Sequence, residues 1–108
     1  MTTELPPDVT METIWVVEGR YAPGAAELRR PVRAEHIARL TRLRDEGVIL
    51  EAGAFADMSA SMLLFRVPTE EEAMTLARDD VYLRTGVWVE IRCRPFVRAI
   101  RTAEVAEG

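Results

Sequence analysis

The chain has 108 residues, of which 48% are hydrophobic and 30% charged, and this size and balance are typical of one globular domain. A net charge of −4 argues against a nucleic-acid partner, and no apolar run is long enough to span a membrane. The one cysteine, Cys93, excludes an intramolecular disulfide and disfavours a cysteine-based metal site. The first residues lack the basic region and apolar core of a signal peptide, so we expect the protein in the cytoplasm.

The first half of the chain predicts a strand, a loop and a helix, in that order. Residues 1–10 are polar and contain two adjacent prolines, which is typical of a flexible N-terminal arm. The β-branched and aromatic stretch ETIWVVEGR, residues 12–20, predicts the first strand, and residues 21–31 form a loop. An amphipathic helix is predicted over residues 32–47, with Gly47 as its C-terminal cap.

The middle of the chain predicts a β-hairpin followed by a second helix. Residues 48–55 and 61–67 are short apolar stretches joined by a turn, and we assign them to paired strands. The second helix is predicted over residues 68–80. Thr69 and Glu72 have the spacing of a capping box, and three glutamates in the first turn interact favourably with the helix dipole.

The last part of the chain predicts a short turn or helical coil over residues 81–86 and a fourth strand over residues 87–96. Residues 102–108 are predicted to be a flexible tail, which leaves residues 11–101 as the single domain. Strict alternation in the fourth strand places two sets of side chains on opposite faces of a sheet. These sets are Val87, Val89, Ile91 and Cys93 on the core face, and Trp88, Glu90, Arg92 and Arg94 on the other.

The predicted element order is β-α-β-β-α-β, which is the order of the ferredoxin-like sandwich. We therefore predict an α+β fold in which two helices cover one face of a four-stranded antiparallel sheet. The first and third strands carry apolar residues in both registers, as in IWVV and MLLF, so the uncovered face is not fully polar. A second copy of the chain would cover that face, and we predict a homodimer with Trp88 and Arg92 at or near the interface.

A helical-wheel projection of the first predicted helix turns two polar residues toward the core. His36, the one histidine of the chain, and Arg33 fall in the apolar arc, whereas Arg39 falls on the solvated face with Glu35 and Arg42. A polar group in such an arc needs a partner, because burying it unpaired is costly. A lone histidine on an apolar face is more often a core residue than a catalytic group, so the wheel alone leaves both roles open.

The second predicted helix offers a partner for His36. If this helix continues to residue 80, Asp80 points toward the core while the adjacent Asp79 points to solvent. The two helices lie side by side in the predicted fold, so the carboxylate and the imidazole can meet within hydrogen-bond reach. Such a contact lowers the burial cost of both groups.

Four stretches of the chain resemble the YCII-related (YciI-like) domain family: RAEHIARLTRLRDEG, ILEAGAF, EEAMTLARDDVYLRTGVW and RPF. The resemblance covers nearly the whole predicted domain. Arg33 and His36 match the family's Arg-x-x-His, and Asp80 matches its Asp-Pro pair, although Val81 stands in place of the proline. A second departure is Ala54, which replaces the proline of the family's Ala-Gly-Pro strand end.

The resemblance implies a dimeric α/β barrel with a catalytic His–Asp pair, here His36 and Asp80, in a pocket near the dimer interface. Some members act on small, often ring-derived molecules, for example by eliminating chloride from a chlorinated hydroquinone. We therefore expect a small lyase or isomerase that needs no metal or organic cofactor and whose ligand is an acidic or aromatic small molecule. The residues expected to bind this substrate are Arg33, Gly53, Phe55, Tyr82 and Trp88.

The chemistry expected of a His–Asp pair is proton transfer. A carboxylate that holds one imidazole nitrogen fixes the tautomer of the ring, so the other nitrogen can take or deliver a proton near neutral pH. This suits proton abstraction beside a carbonyl, double-bond isomerisation or elimination of a leaving group. Arg33 can hold a substrate carboxylate or stabilise a developing enolate, unless it forms an internal salt bridge. Two other functions stay open: a non-catalytic ligand-binding or accessory dimer module, and a purely structural dimer.

Overall fold

A computed structural model describes residues 4–104 as a four-stranded antiparallel sheet with a layer of helices packed on one face. Two short helices are present in addition to the two long ones. Within residues 4–104, no helix is long and apolar enough to cross a membrane. In chain order the elements are β1 (Val9–Tyr21), α1 (Ala25–Leu28), α2 (Arg33–Asp45), β2 (Ile49–Ala54), β3 (Ala60–Phe65), α3 (Glu70–Arg78), α4 (Val81–Arg84), β4 (Trp88–Arg101) and a 3₁₀ turn (Thr102–Glu104).

The strand order across the sheet is β2-β3-β1-β4, and every neighbouring pair is antiparallel. With α2 and α3 connecting the strands, this order confirms the predicted α+β, ferredoxin-like sandwich. The two central strands, β1 and β3, carry fully buried apolar side chains such as Val17, Leu63 and Phe65. These residues form the sheet side of the core beneath the helices.

The N-terminal end of β1 and the C-terminal end of β4 extend further than the apolar pattern of the sequence predicts. β1 begins at Val9, inside the stretch expected to be a flexible arm, and β4 continues to Arg101, past its predicted end at residue 96. Val9 lies opposite Arg101, so backbone hydrogen bonds order residues whose mostly exposed side chains give little periodic signal. The predicted tail begins with the 3₁₀ turn, while its last residues, 105–108, and residues 1–3 of the predicted arm lie outside the described residues.

The helix layer differs from the prediction at two places. Helix α1 forms within the predicted loop and begins after Gly24, whose φ of 75° favours glycine. Helix α3 ends at Arg78, so Asp80 is not part of it; Asp80 is instead the N-cap of α4 and accepts a hydrogen bond from the N–H of Tyr82. Asp80 points inward because of this turn, and the assumption that the second helix continues to residue 80 is wrong. The predicted end of α2 is confirmed by Gly47, which has a φ of 77°.

A β-bulge reverses the predicted position of Trp88. The register between β1 and β4 shifts at this end, so that Tyr21 lies opposite Trp88 while Gly19 lies opposite Ile91. Trp88 and Ile91 consequently face the same side of the sheet, and Trp88 is 1% exposed in the core beneath the helices. The prediction that Trp88 faces away from the core, at a dimer interface, is wrong. Ile91 packs against the core as predicted, but Val89, at the bulge, is exposed.

The sheet face away from the helices carries both charged and apolar side chains. Arg66 and Arg98 hydrogen bond to the carboxylate of Glu12 at distances between 2.7 and 3.1 Å. Burial acts to raise the pKa of Glu12, but the hydrogen bonds from both guanidinium groups outweigh it and lower that pKa. Phe96 lies opposite the buried Ile14 on this face and is 51% exposed. Apolar surface therefore remains uncovered here, as the sequence predicts.

Trp88 packs directly on the backbone of β1, and only glycine fits beneath it. A Cβ atom added to Gly19 would lie 2.5 Å from Cδ2 of the indole ring, well inside van der Waals contact. The indole N–H donates to Oγ of Ser61 on the neighbouring strand at 3.1 Å. The indole therefore connects β4 to both central strands. At the same end of the sheet, the rings of His36 and Tyr82 pack against the indole.

We predict that Gly19→Ala lowers the free energy of unfolding by about 2 kcal/mol, since overpacking must displace the indole ring. For a domain of this size the melting temperature then falls by roughly 10 °C. Gly53→Ala is the matched control, because no atom of the described residues, apart from its chain neighbours, lies within 4 Å of its added Cβ, and we expect no loss of stability. Thermal and urea unfolding followed by circular dichroism measure both variants. Equal stabilities would contradict the close packing described here.

Candidate active site

A buried imidazole and a buried carboxylate meet between α2 and α4. His36 is 4% exposed, Asp80 is fully buried, and Nδ1 of His36 lies 2.8 Å from Oδ1 of Asp80. A carboxylate oxygen only accepts, so Nδ1 carries the proton and donates it. Nε2 has no hydrogen-bond partner within residues 4–104, and the ring lines a cavity, which leaves a lone pair available to a ligand. The contact predicted for these two residues is present; its catalytic role stays a prediction.

Asp80 reaches this position because it caps helix α4. Its Oδ1 accepts a second hydrogen bond from the backbone N–H of Tyr82 at 2.9 Å, as N-cap residues commonly do. Asp79, one position earlier, has 76% of its side chain exposed. The turn between α3 and α4 therefore sends one of two neighbouring carboxylates into the core and the other to solvent, as predicted.

Arg39 supplies a cation to the buried carboxylate, and the helical wheel did not predict this. Its Nη1 lies 3.3 Å from Oδ2 of Asp80, and its Nη2 donates to the carbonyl of Leu76 at 2.8 Å. Although the wheel placed Arg39 on the solvated face, only 12% of its side chain is exposed. A long side chain can leave the face on which its Cα lies and reach a neighbouring helix. The available signal is spacing, because Arg39 follows His36 by one helical turn and so lies beside it.

Two aromatic rings hold the His36 imidazole in position. Tyr82 stacks on it with ring centroids 3.6 Å apart and planes inclined by 9°, and Trp88 meets it edge-on at 5.5 Å. Burial raises the pKa of the Tyr82 phenol further above neutral pH, where a phenol is already uncharged. The stacked ring, the edge contact and the bond to Asp80 together restrict rotation of the imidazole. Nε2 is thereby held in a defined position relative to the cavity.

The cavity beside His36 has a volume of about 200 Å³, smaller than pockets for drug-sized ligands. The predicted residues Gly53, Tyr82 and Arg33 line it, and so do Tyr21 and Ser61, which the sequence did not single out. Its wall therefore combines a base, hydroxyl groups, a cation and apolar surface. The volume suits a molecule of about one ring.

Two arginines that line this cavity have no side-chain partner among the residues that the structure describes. The side chains of Arg29 and Arg33 form no ion pair or hydrogen bond in the described part of the chain. Arg33 is exposed, so the prediction that its guanidinium points into the core is wrong: it lies at the cavity's solvent side. Arg29 was not predicted as a site residue because it falls in the supposed loop, where α1 brings it to the cavity. The positive charges of both guanidinium groups act to lower the pKa of the Tyr82 phenol, in opposition to the effect of burial.

Two of the predicted substrate-binding residues do not line the cavity. Phe55 is 45% exposed and lines separate shallow hollows near the β2–β3 turn. Trp88 lies behind His36 and contacts the imidazole rather than the open space. The sequence thus indicated which aromatic residues were candidates but not where each one lies. The position of Trp88 depends on the bulge in β4, and that of Phe55 on the β2–β3 turn.

We predict that Asp80→Ala lowers the free energy of unfolding by about 3 kcal/mol. The substitution leaves the Arg39 guanidinium, the Nδ1–H of His36 and the N–H of Tyr82 without their shared acceptor. Asp79→Ala is the matched control, and since Asp79 is exposed we expect a change within about 0.5 kcal/mol. Urea denaturation compares the two, and similar losses would show that the buried carboxylate does not organise this region.

Comparison with known proteins finds relatives of this chain among small bacterial proteins. The sequence model of the YCII-related domain family matches residues 13–97 of this chain. Protein YciI of Escherichia coli is 29% identical over 93 residues, which cover 77% of this chain and 95% of YciI. An uncharacterised protein of Haemophilus influenzae is 27% identical over 92 residues, which cover 76% of this chain and 94% of that protein.

A solved structure shares the fold. It is the 5-chloro-2-hydroxyhydroquinone dehydrochlorinase of Burkholderia phenoliruptrix, in complex with 2,5-dihydroxybenzoquinone, with a TM-score of 0.65 and 19% identity over 75% of this chain and 90% of that chain. At this identity the likeness shows the fold alone. The family match is stronger evidence of relationship, because it spans nearly all of the sheet and both long helices. The resemblance inferred from Arg33, His36 and Asp80 is therefore confirmed, and the chain belongs to the YCII-related domain family.

Proposed function

We propose that the protein is a small lyase or isomerase that transfers a proton on a small carbonyl or ring-derived substrate without a metal or organic cofactor. One observation carries this proposal: His36 lines a cavity, its Nε2 has no partner in the described part of the chain, and a buried carboxylate holds its Nδ1. In this arrangement His36 is the general base. Asp80 orients the ring and stabilises the imidazolium that forms.

The proposed reaction begins when Nε2 of His36 removes a proton from the carbon next to a substrate carbonyl. The electron pair of the broken C–H bond forms a C=C bond, and the carbonyl π electrons move onto oxygen. In an isomerisation the imidazolium returns the proton to a different carbon. In an elimination the enolate expels a leaving group, such as chloride, with its electron pair. Neither path needs an oxidant or a reductant.

The charges around the cavity favour an anionic substrate. Arg29 and Arg33 lie there with no partner among residues 4–104, and guanidinium groups bind carboxylate or phenolate oxygens strongly. The cavity volume of about 200 Å³ restricts the ligand to roughly one ring. Of the acidic or aromatic small molecules expected as ligands, an acidic one of about one ring satisfies both conditions.

The structural relative supports the same class of reaction. It is named a dehydrochlorinase, an enzyme that eliminates hydrogen chloride, and it was solved with a single-ring quinone. Elimination of hydrogen chloride requires a base that removes a proton, which is the role proposed for His36.

His36→Asn is expected to lower turnover by about 10²–10⁴-fold, the usual contribution of a general base. Parent and variant are incubated in D₂O with a panel of small acidic carbonyl compounds and hydroxyquinones, and NMR measures deuterium incorporation. Chloride release from 5-chloro-2-hydroxyhydroquinone tests elimination directly. Thr41→Val is the matched control on the same helix and should keep the parental rate, since the Thr41 hydroxyl has one bond among the described residues, to the carbonyl of Ile37.

A folded His36→Asn variant that reacts at the parental rate would reject His36 as the base. If the parent binds members of the panel but exchanges no proton and releases no chloride, the alternative function applies. The protein is then a non-catalytic ligand-binding or accessory module that keeps the cavity without turnover.

We also propose that the protein is a cytoplasmic homodimer in which two open sheet faces pack together. Phe96 is 51% exposed on this face, and the exposed Arg92 lies on it opposite Glu18. Covering this apolar surface with a second copy is a common solution for such a sheet. Trp88, which is buried in the core, takes no part in the proposed interface.

Sedimentation at tens of micromolar is expected to give twice the 12.2 kDa of a single chain. Phe96→Glu should shift the protein toward the monomer, because it places a charge in the proposed interface. Leu28→Glu is the control: Leu28 is 47% exposed on α1, on the helix side, and its substitution should leave the dimer intact. A parent protein that sediments as a monomer would reject the dimer.

A further inference from the structure

Two hydroxyl groups line the cavity and take no part in the mechanism described above. Oγ of Ser61 and the hydroxyl of Tyr21 are 2.8 Å apart, and Nε1 of Trp88 lies 3.1 Å from the same Oγ. The three residues are 4%, 7% and 1% exposed, respectively. They form a continuous hydrogen-bonded chain from the core to the cavity wall.

Counting donors and acceptors in this hydrogen-bonded series leaves one proton without an acceptor in the described part of the protein. An indole N–H only donates, so it occupies an acceptor position on Ser61. The bond between the two hydroxyls uses one of their two protons, which Ser61 donates to Tyr21. The phenol proton of Tyr21 then has no acceptor within residues 4–104. Buried donors are almost always satisfied, so this proton requires a partner in the cavity.

We propose that the Trp88–Ser61–Tyr21 chain is the oxygen-binding element of the site, and that Tyr21 donates a hydrogen bond to a carbonyl or phenolate oxygen of the ligand. The inference rests on the proposed function, because negative charge develops on that oxygen when His36 removes a proton. Each bond in such a chain polarises the next, which strengthens the last one. A fixed donor aimed at a developing oxyanion is a major source of catalytic stabilisation.

The groups at the cavity together define the chemical class of the ligand. The lone pair of His36 accepts a proton, Tyr21 donates one hydrogen bond, and Arg29 and Arg33 are positively charged. A molecule that satisfies all of them carries an acidic proton, a neighbouring oxygen acceptor and a negative charge. Hydroxyquinones and small enolisable keto acids have these features.

The test uses 2,5-dihydroxybenzoquinone, a coloured single-ring anion, as the probe. Isothermal titration calorimetry on Tyr21→Phe is expected to give a dissociation constant about tenfold above the parental value, the usual effect of losing one hydrogen bond to an anion. The matched control, Thr41→Val, removes a hydroxyl that bonds to the carbonyl of Ile37 and should bind as the parent does.

The visible spectrum of the bound probe distinguishes a direct hydrogen bond from a general loss of packing. A donor to the ring oxygen stabilises its ionised form, so the probe should stay ionised to lower pH on the parent than on Tyr21→Phe. Ser61→Ala keeps the Tyr21 hydroxyl but removes its polarisation, and it should give an intermediate affinity and spectrum. This second variant decides the question if Tyr21→Phe does not fold.

Equal affinities and equal bound spectra for parent and Tyr21→Phe would overturn the inference, and so would a parent that does not bind the probe. His36→Asn separates this inference from the proposed function. We expect it to lose turnover while keeping binding that depends on Tyr21. If the parent protein shows no turnover but binds the probe in a Tyr21-dependent way, the oxygen-binding element is supported and the catalytic proposal is rejected.

Discussion

The buried carboxylate of Asp80 is the group on which the rest of the site depends. A charge removed from water needs donors and a countercharge, and Asp80 is fully buried. His36 and Arg39 on α2 and the N–H of Tyr82 on α4 supply them. Arg39 also donates to the carbonyl of Leu76 on α3. Satisfying one carboxylate therefore sets the relative positions of three helices and the orientation of the imidazole.

Trp88 links this cluster to the sheet. The indole ring lies on the backbone of Gly19, meets His36 edge-on and donates to Ser61. One side chain thus supports the candidate base and also begins the hydroxyl chain that ends at Tyr21. Both relationships require Trp88 beneath the helices, and the bulge in β4 puts it there. The bulge is therefore a structural requirement of the site.

Much of the fold was predictable because its signals are local. The Thr69 hydroxyl accepts a hydrogen bond from the backbone N–H of Glu72 and caps α3, which is one of the two bonds of the predicted capping box. Gly47 ends α2 in the left-handed conformation. Helical periodicity also correctly predicted that His36 faces the core. The position of its Cα on the helix determines where such a short, rigid side chain points. The same reasoning failed for Arg39, whose long side chain reaches α3 from another face of the helix.

By itself the sequence determined the order of the four strands and two long helices, the ferredoxin-like fold, and the inward position of His36. Periodicity, caps and strand composition act between neighbouring residues, so one segment carries all of that information. Only the tertiary structure decided that Asp80 caps α4, that Trp88 enters the core and that Arg29 reaches the cavity. Those positions result from strand register and from turns packed against distant residues. Their energies are set by partners far away in the chain, which no local pattern records.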